Sequence, residues 1–77
     1  MDKTVAAFKK NTFQEIRVGI REFKGKDLVD IRTWTMIQGA GEMVPTAKGV
    51  SINVSLFPEL KKALEQVETI LKENRLI

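Results

Sequence analysis

The chain of 77 residues has no cysteine and no histidine. The first absence excludes disulfides and thiolate metal sites. The second removes the commonest general base and a frequent metal ligand. No metal and no cofactor is therefore expected. No stretch approaches the roughly 18 consecutive apolar residues of a membrane span, and the opening MDKTVAAFKK lacks the apolar centre of a secretory signal. The expectation is an intracellular protein without membrane association. Catalysis is also hard to build. Ser51 and Ser55 have no histidine to activate them. Asp27 and Asp30 differ by three positions, so on a flat strand they face opposite sides. No G-x-x-x-x-G-K phosphate loop occurs. An enzyme is not expected.

Rings are scarce too, with four phenylalanines, one tryptophan and no tyrosine, so their positions carry information. A chain this short buries only about 60% of its unfolded surface and is marginal alone. With disulfides and metal excluded, self-association is the remaining route to stability. The net charge of +3 is unevenly spread. Nine basic and six acidic residues fall in positions 1–54, and four of each in 55–77. All the excess positive charge lies in the N-terminal part, a distribution compatible with nucleic-acid binding.

Residues 1–11 show no clear period, and Lys3, Lys9 and Lys10 make them basic; they read as a flexible N-terminal arm. Residues 12–77 read as one domain. In 14–23, Ile16, Val18 and Ile20 share one face of a strand, while Arg17, Gly19, Arg21 and Phe23 share the other. Gly19 fits either a close approach by a ligand or, slightly better, a local bend. Lys24-Gly25 suits a two-residue hairpin turn. The second strand, 26–37, puts Val29, Ile31, Thr33 and Thr35 beneath and Lys26, Leu28, Asp30, Arg32, Trp34 and Met36 above. Asp30 is placed to pair across strands with Arg21 or Arg17.

Residues 38–41 read as a turn and 42–46 as a short third strand, at an edge or bulged because Pro45 cannot donate to a ladder. Lys48-Gly49 reads as a further turn, and Val50, Ile52 and Val54 as a fourth strand. A helix then begins near Ser55, with Ser55 as the preferred N-cap and Asn53 as the alternative; Ser55 leaves Pro58 in the first turn. Phe57, Leu60, Leu64, Val67 and Leu71 follow a three-four spacing, widened by Leu56, Ala63 and Ile70. The expected fold is α+β, in the order ββββα, with the helix stripe divided between its own sheet and a second copy in a two-fold dimer.

The face carrying Arg21, Phe23, Lys24, Lys26, Arg32 and Trp34 is the candidate site, because bases stack on rings and phosphates pair with cations. From the residues alone it stands level with a solvated charged face whose tryptophan lies under a loop or the N-terminal arm. The same face suits single-stranded DNA, RNA or, in another class, a protein partner.

FKGKDLVDIR at 23–32 resembles the core of the positive cofactor 4 family of transcriptional coactivators. Gly41-Glu42-Met43, then Pro45 and Lys48-Gly49-Val50-Ser51, are similar to its next block, and Leu60-Lys61-Lys62 to its helix opening. The resemblance covers about residues 13–67. It implies a curved four-stranded antiparallel sheet, a long helix that pairs in a homodimer, and binding of single-stranded DNA with little sequence preference. The process served would be transcription, replication or recombination, with the corresponding machinery as possible partners. Carried over by motif, Phe23 would stack on a base, Lys24, Lys26 and Arg32 would meet phosphates and sugar edges, and Arg21 would face DNA. Arg17 on the same face and Lys48 complete the candidate set. The implied dimer interface is Phe57, Leu60, Leu64, Val67 and Leu71. Two departures stand out. The family's stacking tryptophan follows DIR by three positions, where this chain has Thr35 and carries Trp34 instead. Val44, Thr46 and Ala47 replace cations near the third strand, and only Lys48 remains.

Overall fold

The computed structural model describes residues 1–39 and 41–77. Four strands, β1 (Lys3–Lys9), β2 (Gln14–Phe23), β3 (Lys26–Met36) and β4 (Met43–Asn53), precede a single 3-10 turn (Val54–Leu56) and the helix α1 (Phe57–Glu73). The strands pair antiparallel in chain order as one open sheet, giving the α+β architecture expected.

The central hairpin follows its sequence closely. Phe23 pairs with Lys26, and Lys24 and Gly25 both take positive φ (52° and 77°). That is the twist-matched turn of a two-residue hairpin. All ten residues of β2 pair with β3 without slippage, from Gln14 opposite Thr35 to Phe23 opposite Lys26. Arg17, Gly19, Arg21 and Phe23 therefore share a face with Lys26, Asp30, Arg32 and Trp34. Ile16, Val18, Ile20, Val29 and Ile31 form the underside.

Three expectations are corrected. The supposed arm is an edge strand, because the free side of β2 offers unpaired backbone groups that residues 3–9 satisfy. A register shift between Thr4 and Ala6 breaks the alternation that would have marked it. Asn11 closes the β1–β2 connection, its Oδ1 accepting from the Phe13 N–H at 3.0 Å.

The expected third and fourth strands are one strand, β4, and Lys48-Gly49 is not a turn. Arg32 pairs with Gly49 and Trp34 with Pro45, so Thr33 alone faces residues 46–48 across a bulge. Thr46 stitches it, donating to the Thr33 carbonyl at 2.8 Å and accepting from the Lys48 N–H at 3.2 Å. Gly49 is there for close approach: a Cβ would lie 2.6 Å from the Ile31 carbonyl oxygen. Pro45 does lie on an edge strand. The connection to β4 begins with a turn at Gln38 and Gly39; Ala40, within the expected turn, lies outside the described residues.

The cap is Asn53, whose Oδ1 accepts from the Ser55 N–H at 2.9 Å. Ser55 is not the N-cap because a 3-10 turn intervenes, and that turn still leaves Pro58 in the first turn of α1.

Among the described residues no apolar side chain is fully buried, and the buried polar ones are Asp30 and Thr33. The helix projects from the sheet with Leu64, Val67 and Ile70 each more than half exposed. The accessible surface is 6190 Å², against roughly 4,700 Å² for a compact monomer of this size. The radius of gyration is 14.7 Å, against about 11.5 Å for 77 compact residues. A single chain thus leaves much of its helix stripe exposed and its sheet underside only half-buried. No helix among the described residues is long and apolar enough to cross a membrane.

Candidate nucleic-acid interface

The upper face of the sheet carries its two rings at opposite ends. Phe23 stands at the hairpin, 62% exposed, with the Lys24 ammonium 5.3 Å from its ring centroid and Lys26 opposite on β3. Trp34 lies eight residues along β3, roughly 26 Å away at strand rise. It does share the face with Arg32, since the bulge is on β4 and leaves the β3 alternation intact. Beside Trp34 lies a groove of about 220 Å³ bordered by Asp2, Thr4, Arg17, Gly19, Arg21 and Asp30. Gly19 lets β1 close one side of it: a Cβ there would sit 2.4 Å from the Lys3 carbonyl oxygen. The closely approaching group is thus a neighbouring backbone.

The cations differ in how free they are. Lys24, Lys26 and Lys48 are exposed, the last in the β4 bulge. The Arg21 side chain is 48% exposed and reaches within 3.9 Å of the Asp30 carboxylate. Arg17 is tied to Glu15 at 2.9 Å and lies over the Trp34 ring, 4.2 Å from its centroid.

Arg32 is on the expected face, but its guanidinium is engaged within the sheet. Its Nη2 donates to Asp30 at 2.9 Å and to the Ser51 hydroxyl at 3.3 Å; its Nη1 donates to the Thr46 carbonyl at 2.9 Å. Asp30 accepts a further bond from the Ser51 hydroxyl. Burial by itself pushes the Asp30 carboxyl up; the hydrogen bonds from Arg32 and Ser51 and the charges of Arg32 and Arg21 outweigh it, holding the carboxyl below the usual carboxylate range. Asp30 is therefore an anion in the middle of a cationic face, and it fixes Arg32 as a strut between β3 and β4.

Sequence reasoning missed Glu15, Ser51 and Thr46. The Asp30–Arg32 pair was visible as two opposite charges at i and i+2, which share a strand face. Ser51 and Thr46 could be placed only once the β4 register was known.

Residues 10–63 match the model of the family described as Transcriptional Coactivator p15 (PC4). The RNA polymerase II transcriptional coactivator SUB1 of Saccharomyces cerevisiae is 36% identical over 56 residues, covering 73% of this chain and 19% of that protein. The chain thus spans about a fifth of that curated relative. Among solved structures, the PC4 homolog BPSL1147 from Burkholderia pseudomallei superposes with a TM-score of 0.78 at 31% identity, covering 87% of this chain and 89% of the other. MoSub1, solved as an ssDNA complex, gives a TM-score of 0.65 at 28% identity, covering 88% and 77% respectively.

Proposed function

We propose that this chain, which belongs to the Transcriptional Coactivator p15 (PC4) family, binds single-stranded DNA across the upper face of its sheet, with little sequence preference, as a homodimer. The observation that carries the reading is the presence of both Phe23 and Trp34 on one sheet face with Arg21 and Lys26, and of Lys24 beside the Phe23 ring. Rings supply a sequence-tolerant surface for bases, and cations track the phosphates. The ssDNA complex of MoSub1 supports DNA as the ligand.

In this reading Phe23 and Trp34 stack on bases, while Arg21, Lys24, Lys26 and Lys48 meet phosphate. Arg32 acts through the fold, keeping β4 and its Lys48 in register. Arg17 enters with Trp34. The homodimer is supported by the surplus exposed surface and by the uncovered stripe of Phe57, Leu64 and Val67, continued by the half-buried Leu60 and Leu71. A partner's stripe would cover these residues and the apolar hollow of about 390 Å³ between Val5, Val18, Val29, Val54 and Phe57. Coactivation through the transcription machinery, as named for SUB1, is the role assigned to the complex, in an intracellular setting.

The test is affinity for single-stranded DNA, duplex DNA and RNA of equal length at two salt concentrations. The reading expects single-stranded DNA to bind most tightly. Equal or tighter binding of RNA reassigns the ligand, and binding of none of the three leaves the face to a protein partner.

A further inference from the structure

Trp34 is the only tryptophan of the chain, and it is not open to a ligand in the way Phe23 is. The Arg17 guanidinium lies over its ring, and the Arg17 Nε donates to the Glu15 carboxylate at 2.9 Å. The three side chains are neighbours by register. Glu15 is directly opposite Trp34, and Arg17, two positions further along β2, is its diagonal neighbour. Glu15 is unlike Asp30. The Asp30 side chain is 7% exposed and joins two strands through Arg32 and Ser51, whereas the Glu15 side chain is 30% exposed and bonds Arg17 on its own strand. A carboxylate on a face that meets phosphate opposes binding, so its presence beside the stacking ring calls for a role.

We propose that Glu15 is a specificity-determining latch: it holds Arg17 over Trp34 in the free protein, so that a nucleobase reaches the ring only together with a phosphate that takes Arg17 from the carboxylate. The inference rests on the single-stranded DNA reading above. Carboxylate and phosphate present similar oxygen pairs to a guanidinium fork, so the exchange leaves Arg17 satisfied. A neutral base, or an aromatic side chain of another protein, offers no such exchange and must displace the guanidinium without compensation. The latch therefore makes the ring selective for a base attached to a phosphate chain, and Phe23, without a latch, is the permissive end of the face.

The experiment follows Trp34 fluorescence in wild type, Glu15→Gln, Arg17→Ala and the double variant, titrated with a thymine oligonucleotide and, without DNA, with acrylamide. Glu15→Gln is expected to bind the oligonucleotide about two- to fivefold more tightly, the scale of an exposed ion pair. Its log–log salt slope is expected to match wild type, because Arg17 meets phosphate in both complexes, whereas Arg17→Ala is expected to lose about 0.7 of it. The gain is expected to vanish in the Arg17→Ala background, and acrylamide to quench Glu15→Gln more strongly than wild type. A Glu15→Gln variant that binds no more tightly, or an Arg17→Ala variant with the wild-type slope, overturns the latch while wild-type binding keeps the DNA reading intact. A gain that persists without Arg17 also overturns it, since that is general charge removal. Wild type failing to bind the oligonucleotide removes both.

Discussion

Asp30 and Arg32 stand two residues apart on β3, and the Arg32 Nη2 donates to the Asp30 carboxylate at 2.9 Å with both side chains largely shielded. The cation that the sequence offers most plainly to DNA is thus held within the sheet. Asp30→Asn should destabilise the protein by about 2–3 kcal/mol, because Arg32 is left shielded with a weaker partner. Urea unfolding at neutral pH measures it.

The same pair gives a pH dependence with a definite sign. The folded Asp30 carboxyl lies below its ordinary value. Its contribution is therefore fully present above the unfolded carboxylate pKa and is lost as pH falls through the folded one. Unfolding midpoints measured through the acid range should fall less steeply in Asp30→Asn than in wild type; parallel curves would contradict the assignment.

Gly49→Ala places a Cβ 2.6 Å from the Ile31 carbonyl oxygen and 2.8 Å from the Arg32 Cα. Neither is the movable end of a side chain, so β3 and β4 must separate. A loss of about 1–3 kcal/mol is expected, with amide exchange accelerated on β4 before β2. Gly25 takes positive φ and has open space around it, so any cost of Gly25→Ala comes from backbone strain at the hairpin alone.

The helix stripe should be inseparable from stability. Leu64→Glu puts a charge in the centre of the proposed seam, at a position now 55% exposed in the single chain. In a monomer the change would be nearly neutral. In a helix-paired dimer it should abolish association in sedimentation at micromolar concentration and lower the unfolding midpoint together with it.

Much of this was legible in the chain, and the exceptions have physical causes. The β2–β3 hairpin could be read because ten residues alternate without interruption around a turn dipeptide suited to positive φ. The cationic-aromatic face followed from that alternation alone. β1 was hidden because its pairing shifts between Thr4 and Ala6 and none of its residues is buried; an edge strand held mainly by backbone bonds leaves little trace in side-chain pattern. β4 was divided in two because Gly49 and Pro45 carry the same composition as a turn, whereas here they accommodate a close strand approach and an edge. Arg32 and Arg17 were correctly placed on the face, but their partners Ser51, Thr46 and Glu15 depend on register, and composition alone does not show which cations are already paired.

The most direct measurement for the central claim is the saturable quenching of Trp34 by a thymine oligonucleotide at several salt concentrations, repeated in Phe23→Ala. Wild type should quench on binding, with a log–log salt slope of about −3.5 per protomer from Arg17, Arg21, Lys24, Lys26 and Lys48. Phe23→Ala, which leaves the fluorophore in place, should weaken affinity by about 1–3 kcal/mol. Unquenched Trp34 with a slope near zero, or an affinity indifferent to Phe23, would contradict a face that holds single-stranded DNA by stacking and charge.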